Sequence, residues 1–306
     1  MKRRHPTAAR MLRAAPITLR RRLAGRPGGR VTSGNLAYTS FGPGETARLR
    51  AMTEALLRHE PDCRLLVVDD ASGEHVRDLE RDPRVGVAGR WRPRGYPTGL
   101  LRLVLESLAL ALERYEFEIL LKIDTDALLL RPGVFAEARA CFDRDPGVGI
   151  AGSYLPEAAV ERDDHRFAWL VPIMEREAAS DRRFGEAWEA ALANGYQPGE
   201  HVQGGVYVLA RPALEALRGS GLLRWRPRLE AVLYDDVVLS MFVRAVGFRP
   251  ASLEPTIRST PNSMPLALER LREVAPAAVH TVKRGLEGES EQEVREFLEL
   301  MQRPRA

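Results

Sequence analysis

Two continuous apolar runs that end in aspartates place the strongest limit on the fold of this 306-residue chain. They are CRLLVVDD at 63–70 and FEILLKID at 117–124. A run of this length without alternating polar positions is typical of a parallel strand buried on both faces of a sheet. A strong helical pattern at 100–114 lies between them. Strands that alternate with helices predict the α/β class with a mostly parallel central sheet flanked by helices.

The alternation continues through the rest of the chain. Shorter patterns predict strands at 84–89, 147–154, 202–210 and 276–283, and helices at 45–58, 134–142, 173–179, 184–193, 211–221, 234–248 and 290–301. No repeat or linker divides these elements, so we expect one domain over 31–285. Residues 286–306 are expected to form an acidic helix and tail.

The charge is distributed unevenly. Residues 1–30 contain ten of the 46 basic residues and no acid, which leaves 36 basic against 42 acidic residues in the remainder. We expect a basic, disordered arm on an acidic body, which argues against a nucleic-acid-binding protein. The arm could contact anionic lipid.

No run reaches the roughly 18 apolar residues of a membrane span, and two cysteines fit a reducing compartment. A cytoplasmic location is expected, with contact to the inner face of the membrane as the alternative to a solvated arm.

Asp124 and Asp126 follow the second apolar run two positions apart. If the extended conformation persists past Ile123, both side chains share one face of the strand. The carboxyl ends of strands border the ligand crevice in α/β sheets. Two converging carboxylates repel each other unless a cation or proton lies between them, and their oxygens suit Mg²⁺ or Mn²⁺. The alternative is a pair of turn-forming aspartates.

Four motifs in order resemble those of GT-A fold glycosyltransferases that use nucleotide sugars. They are the Asp-x-Asp of LLKIDTDALLL (120–130), QGGVYVLARPAL (203–214), YDDVVLSMFVRAVG (234–247) and His280 in VHTVK. The similarity covers roughly residues 31–285. It implies a single GT-A-like, Rossmann-like domain.

The resemblance implies a divalent metal, Mn²⁺ or Mg²⁺, that bridges the donor diphosphate. Asp126 would bind the metal directly, while Asp124 would contact the metal through water or the donor ribose. His280 would complete the metal shell, although an ordinary strand histidine is the alternative. Lys283 would pair with a donor phosphate. Lys122 is expected to snorkel or to pair with a neighbouring acid, without a catalytic role.

The acidic helix start is the second part of the implied site. Asp236, with Asp235 as the alternative, would be the base that removes the acceptor proton, which predicts direct, inverting displacement. Both aspartates could instead cap the helix. Gly204 and Gly205 would let the backbone approach the ligand closely, or form a strand bend.

The remaining candidates concern the donor nucleoside and the acceptor. One of Asp69 and Asp70 would bind the nucleoside, with a turn cap as the alternative, and Arg94 and Tyr96 precede a helix that could face an anion. Residues 153–200 are where we expect acceptor recognition. Their rings would stack on sugars or pack in the core: Tyr154, Trp169, Trp188 and Tyr196.

The sequence therefore predicts a metal-dependent glycosyltransferase. It would move a sugar from a nucleoside-diphosphate sugar, with a UDP-sugar favoured, to a hydroxyl of a saccharide, lipid-linked or other acceptor. One alternative is a phosphohydrolase of the haloacid dehalogenase type, disfavoured by Leu128 where that family has Thr or Val. A sugar nucleotidyltransferase is disfavoured because FGPGETAR (41–48) is a poor phosphate loop. A GT-A-like binding protein without turnover is the non-enzymatic alternative.

Overall fold

A seven-stranded sheet forms the centre of the protein. The computed structural model describes residues 30–90, 92–94, 99–154, 170–226, 233–260 and 265–302. The strands are β1 Val31–Thr32, β2 Asn35–Phe41, β3 Cys63–Asp69, β4 Val85–Gly89, β5 Tyr115–Glu116, β6 Ile119–Ile123, β7 Ala127–Leu129, β8 Val148–Gly152, β9 Val206–Ala210, β10 Arg249–Ser252, β11 Ile257–Ser259 and β12 Ala278–His280.

The central sheet has the order β10-β8-β9-β6-β2-β3-β4. β9 runs antiparallel to its neighbours β6 and β8, and the other pairings of this sheet are parallel. The predicted α/β class with a mostly parallel sheet is therefore confirmed. β11, β12 and β7 form a smaller sheet, and β1 pairs with β5.

The helices cover both faces of the central sheet. They are α1 Thr46–His59, α2 Leu100–Arg114, α3 Val134–Arg144, α4 Val171–Ser180, α5 Arg182–Ala193, α6 Arg211–Gly219, α7 Asp235–Ala245, α8 Leu268–Val274 and α9 Glu291–Gln302. Among the described residues, no helix is long and apolar enough to cross a membrane.

Strand alternation divides the core into two layers. In β3, Leu66 and Val68 belong to the cluster formed with α2, α5 and α7, whereas Leu65 and Val67 belong to the cluster formed with α1 and α3. Because both sets are buried, every position of the strand can be apolar. This burial explains the uninterrupted runs in the sequence.

A third apolar cluster joins the C-terminal region to the small sheet. Val294 and Leu298 of α9 are fully buried against Leu128 and other residues of β7, β12 and α8. Arg48 of α1 also binds Glu291 through its Nε, at 2.9 Å and 3.1 Å from the two carboxylate oxygens. The helix that the sequence predicted at 290–301 thus shares an apolar cluster with the strand that follows the Asp-x-Asp.

Most predicted strands are shorter in the structure, and two of these differences affect motif residues. β9 begins at Val206 rather than 202, because the chain turns at Gly204 and Gly205 and Gly205 has a φ of +91°. β6 ends at Ile123 rather than 124, and a turn leads to β7, which the sequence analysis did not predict. β10, β11 and α8 were also not predicted. Thr98, which lies outside the described residues, would suit the N-cap of α2 by its residue type, but Gly99 takes that position.

Candidate functional site

The two motif aspartates lie on the turn between β6 and β7. The Asp124 amide donates to the Gly205 carbonyl at 2.8 Å, and the Ala127 amide donates back to the Asp124 carbonyl at 3.1 Å. The extended conformation therefore does not persist past Ile123, and the condition for both side chains to share one strand face is not met. Because of the turn, the two carboxylates have different neighbours, although an oxygen of each lies within 4.8 Å of the other.

Asp124 forms an ion pair with a buried lysine. The Lys122 ammonium, in a side chain only 3% exposed, lies 2.7 Å from Asp124 Oδ1. Burial alone would lower the pKa of Lys122, but the carboxylates of Asp124 and Asp235 outweigh burial and raise it. The predicted pairing of Lys122 with a neighbouring acid is confirmed. The positive charge of Lys122 is buried next to Asp124.

Asp126 faces the segment that follows β12. Its Oδ2 accepts from Thr281 Oγ1 at 2.8 Å and lies 2.8 Å from Lys283 Nζ, while Oδ1 lies 3.5 Å from His280 Nε2. Burial opposes ionisation of Asp126, yet the Lys283 ammonium beside Oδ2 favours the charged form and keeps the pKa of this carboxyl below its usual value. Asp126 is thus a carboxylate throughout the physiological pH range.

His280 completes a set of metal-ligand atoms. Donor atoms of Asp124, Asp126 and His280 all lie within 4.8 Å of one another. Opposite ligands of an octahedral Mg²⁺ at its usual bond length are roughly 4.2 Å apart, so small adjustments would close this set on an ion. His280 is only 2% exposed, and its Nε2 has no hydrogen-bond partner in the part of the chain that the structure describes. A buried polar atom without a partner fits a missing ligand, so these residues fit a divalent cation.

The two motif glycines make room for this arrangement. A Cβ on Gly205 would overlap the His280 ring, and the φ of +91° disfavours any other residue. A Cβ on Gly204 would lie 2.9 Å from Asp236 Oδ2, to which the Gly204 amide donates at 2.8 Å. The close backbone approach predicted for this pair is therefore to the protein's own site residues.

Asp235 and Asp236 begin α7, where both are buried. Asp236 Oδ1 accepts from the Val237 amide at 2.9 Å, and Tyr234 takes the N-cap position, so neither aspartate is the N-cap residue. Asp235 Oδ2 has no hydrogen-bond partner among the described residues. Burial raises the pKa of Asp235 to about 7, an effect that Lys122 partly offsets.

The aspartates after β3 have separate local partners. Asp69 Oδ1 accepts from the Ser72 amide at 2.7 Å, which is the turn-capping alternative. Both oxygens of the buried Asp70 accept from the Arg94 amide at 2.9 Å, and Arg90 Nε lies 3.5 Å away. Tyr96 lies outside the described residues. A nucleoside-binding role for Asp69 or Asp70 stays a prediction.

The aromatic residues predicted near the acceptor divide into two groups. Trp188 and Tyr196 are buried and meet edge to face with ring centroids 5.9 Å apart, which is the core-packing alternative. Tyr154 donates through its hydroxyl to the buried Glu200, which also binds Arg244 at 2.7 Å. Trp169 lies outside the described residues.

Two hydroxyl residues that no sequence motif indicated contact the metal-ligand set. Thr281 donates to Asp126, and Ser259 lies 3.0 Å from His280 Nδ1. Thr281 is adjacent to a candidate ligand in the sequence, which offered a weak signal. Ser259 lies in a three-residue strand without a motif, so the sequence carried no signal for it.

Comparison with known proteins identifies likenesses to solved structures only. No family model matches the chain, and no curated protein matches it. Three of the similar structures are glycosyltransferases, the class that the sequence motifs resemble. The mannosyltransferase PcManGT from Pyrobaculum calidifontis, in complex with GDP-Man and Mn²⁺, is 17% identical with a TM-score of 0.43, and the match covers 78% of this chain and 61% of that one. The bifunctional glycosyltransferase WbbM is 13% identical with a TM-score of 0.48, and the match covers 87% of this chain and 50% of that one. The galactosyltransferase LgtC, with donor and acceptor sugar analogues, is 12% identical with a TM-score of 0.44, and the match covers 88% of this chain and 97% of that one. The chain thus spans half to about three fifths of the first two.

Proposed function

We propose that this protein is a metal-dependent glycosyltransferase that moves a sugar from a nucleoside-diphosphate sugar to an acceptor hydroxyl. The observation that carries the proposal is the convergence of Asp124, Asp126 and the unpartnered His280 Nε2 within 4.8 Å, at the end of β6 where an α/β sheet binds ligands. The four motifs in their order support the same class of enzyme.

Mn²⁺ is the metal that the donor set favours. Carboxylates suit Mg²⁺ and Mn²⁺ alike, while an imidazole favours a transition metal over Mg²⁺. Asp126 and His280 would hold the ion directly, and Asp124 would bind it through water or contact the donor ribose. When bound, such a cation neutralises the negative charge that develops on a leaving diphosphate.

Lys283 and the β3 aspartates would recognise the rest of the donor. The Lys283 side chain is 39% exposed beside Asp126, so its ammonium can turn from that carboxylate to a phosphate. Asp70 lies at the carboxyl edge of the same sheet, where a nucleoside next to the diphosphate would lie, with Asp69 as the alternative. A UDP-sugar remains the favoured donor.

Asp236 would act as the base in a direct, inverting displacement. Its carboxylate is held by the Gly204 and Val237 amides, and Gly204 adjoins the residue that packs on His280. These contacts fix the carboxylate beside the glycine turn, and a base in this role must lie within hydrogen-bond reach of the acceptor hydroxyl. Asp235 is the alternative base, because its raised pKa gives it a higher proton affinity near neutral pH.

The acceptor would be a saccharide, a lipid-linked sugar or another hydroxyl compound recognised by residues 153–200. Residues 1–30, with ten basic residues, would bring the cytoplasmic enzyme to an anionic membrane. Deletion of 1–30 should then abolish cosedimentation with vesicles containing phosphatidylserine. Unchanged cosedimentation would contradict the membrane contact.

The test of the main proposal is titration calorimetry with UDP, GDP and ADP, with and without Mn²⁺. We expect one nucleotide to bind in a metal-dependent way, and Asp126→Asn to lose that binding while Asp143→Ala, a change at an exposed residue, retains it. Binding of no nucleotide would contradict the proposal, and hydrolysis of phosphate esters would then be assayed for the phosphohydrolase. Binding without cleavage of any nucleotide sugar would identify a binding protein.

A further inference from the structure

Ser259 connects the metal-ligand set to the glycine turn. It lies at the end of β11, next to His280 at the end of β12 in the parallel register of these strands. The Ser259 hydroxyl donates to the Gly204 carbonyl and lies 3.0 Å from His280 Nδ1. Both side chains are buried, with Ser259 7% and His280 2% exposed. Water therefore does not compete for these two bonds.

The positions of the protons follow from the chemistry of the three groups. The Gly204 carbonyl can only accept, so the single hydroxyl proton of Ser259 points towards it. The Ser259 oxygen then faces His280 Nδ1 with a lone pair, and Nδ1 must carry a proton to form the 3.0 Å bond. In a neutral imidazole, Nε2 is then the nitrogen with the lone pair.

That lone pair is directed at the candidate metal site. His280 Nε2 lies 3.5 Å from Asp126 Oδ1, at the outer limit of a hydrogen bond, and makes none with the residues that the structure describes. Two facing acceptors repel each other, unless a cation accepts from both. The Ser259 bond and the unpartnered Nε2 are thus two consequences of one proton arrangement.

We propose that Ser259 is a positioning residue that fixes the tautomer and orientation of His280, so that Nε2 is presented as a metal ligand. Partners of this kind on the second nitrogen of a metal-binding histidine raise its affinity for the ion. Gly204 extends the connection, since its carbonyl holds Ser259 while its amide holds Asp236. The inference deepens the proposed function and rests on it for the metal, but the tautomer can be measured without any metal.

The first experiment is a long-range proton–nitrogen correlation spectrum of the full chain labelled at histidine, with EDTA present. The chain has six histidines, and His280→Gln assigns the signals of His280. At a pH well above the ordinary imidazole value of about 6.5, we expect His280 as the tautomer protonated at Nδ1. A tautomer protonated at Nε2, or an imidazolium protonated at both nitrogens, would overturn the inference.

The second experiment compares variants by the same spectrum and by calorimetric titration with Mn²⁺. Ser259→Ala should lose the Nδ1–H tautomer and bind Mn²⁺ about 10–100-fold more weakly, while Ser259→Thr, which keeps the hydroxyl, should restore both. Ser107→Ala is the matched control, because this buried serine donates within α2 to the Leu103 carbonyl. Unchanged tautomer and affinity in Ser259→Ala would overturn the inference. A wild-type chain with the expected tautomer but without Mn²⁺ binding would support the role of Ser259 and contradict the proposed metal-dependent function.

Discussion

Gly205 determines where His280 can lie. Its φ of +91° and the overlap that a Cβ would make with the imidazole ring both require a glycine. The site therefore depends on a missing side chain as much as on the charged ones. A Cβ on the preceding Gly204 would lie only 2.9 Å from Asp236 Oδ2. One dipeptide therefore constrains the position of a candidate metal ligand and of a candidate base.

We predict that Gly205→Ala loses Mn²⁺ binding and unfolds at lower urea than wild type. Gly247→Ala is the matched control, with a φ of +89° and no atom within 4 Å of the added Cβ. It should cost only the roughly 1–2 kcal/mol of a left-handed alanine and keep Mn²⁺ binding. Equal losses of stability and unchanged metal binding in both variants would contradict the overlap with His280.

Asp235 is an acid whose pKa rises to about 7 on folding from an ordinary 3.8, mainly through burial. The folded protein holds this proton more tightly than the unfolded chain, so the contribution of Asp235 to stability falls as the pH rises from about 4 to about 7. Above about pH 7 the loss is complete and reaches up to about 4 kcal/mol.

Asp235→Asn removes this ionisation and should therefore be more stable than wild type at pH 8. The difference between the two unfolding free energies should shrink at pH 5, where the wild-type carboxyl is protonated in the folded state. Urea unfolding in EDTA at both pH values measures it. A difference that is the same at pH 5 and pH 8 would mean that Asp235 does not titrate in this range.

At the scale of elements, β7 connects the candidate site to the C-terminal helix. β7 follows the Asp-x-Asp turn directly, pairs with β12 and lies in the apolar cluster that α9 covers. The helical pattern at 290–301 predicted α9 and its apolar face, but no local pattern indicated which strand this face would cover. The sequence predicted a domain that ends at residue 285 and a separate helix and tail after it. This boundary remains a prediction, and α9 shares an apolar cluster with residues before it.

We predict that Leu298→Ala destabilises the protein by about 2–5 kcal/mol, because it leaves a cavity in the apolar cluster that α9 shares with β7. Leu300→Ala, two positions along the same helix, is the control, since Leu300 is 56% exposed. This change should stay within about 0.5 kcal/mol of wild type. Chemical unfolding measures both. Similar effects of the two substitutions would show that α9 does not pack on β7 through this face.

At the scale of the whole molecule, the candidate site draws residues from segments far apart in the chain. Asp124 and Asp126 follow β6, the glycines precede β9, Asp236 begins α7, and His280 ends β12. Unfolding separates these groups, so an ion or nucleotide that needs all of them binds the folded protein alone. Binding of the ligand then raises the free energy of unfolding.

We predict that Mn²⁺ together with the preferred nucleotide raises the melting temperature. At 100 times the dissociation constant the stabilisation is about 2.7 kcal/mol, which corresponds to roughly 4 °C for a chain of this size. EDTA should reverse the shift, and Asp126→Asn should show none. A shift that persists in EDTA or in the variant would place the binding outside this donor set.

The sequence by itself determined the α/β class, the order of the main elements and the residues at the strand ends. Buried parallel strands produce continuous apolar runs, and helices on a sheet produce their own period, so both are visible locally. The end of an apolar run indicated the Asp-x-Asp, whereas the glycine pair, the paired aspartates of α7 and His280 were indicated by the resemblance of their motifs to those of GT-A glycosyltransferases. Short strands such as β7 and β11 were missed, because three residues are too few to establish a period.

Only the tertiary structure decided which of these residues meet. It placed a turn at Asp124 where the sequence predicted a strand, paired Lys122 with Asp124, and set Ser259 against His280. The Ser259 contact joins β11 to β12, and the bond from the Asp124 amide to the Gly205 carbonyl joins the end of β6 to the turn before β9. Both depend on the order of strands in the sheets rather than on any neighbouring residue. A hydrogen bond between positions 259 and 280 leaves no mark on either local pattern, because its energy is realised only after the strands have packed.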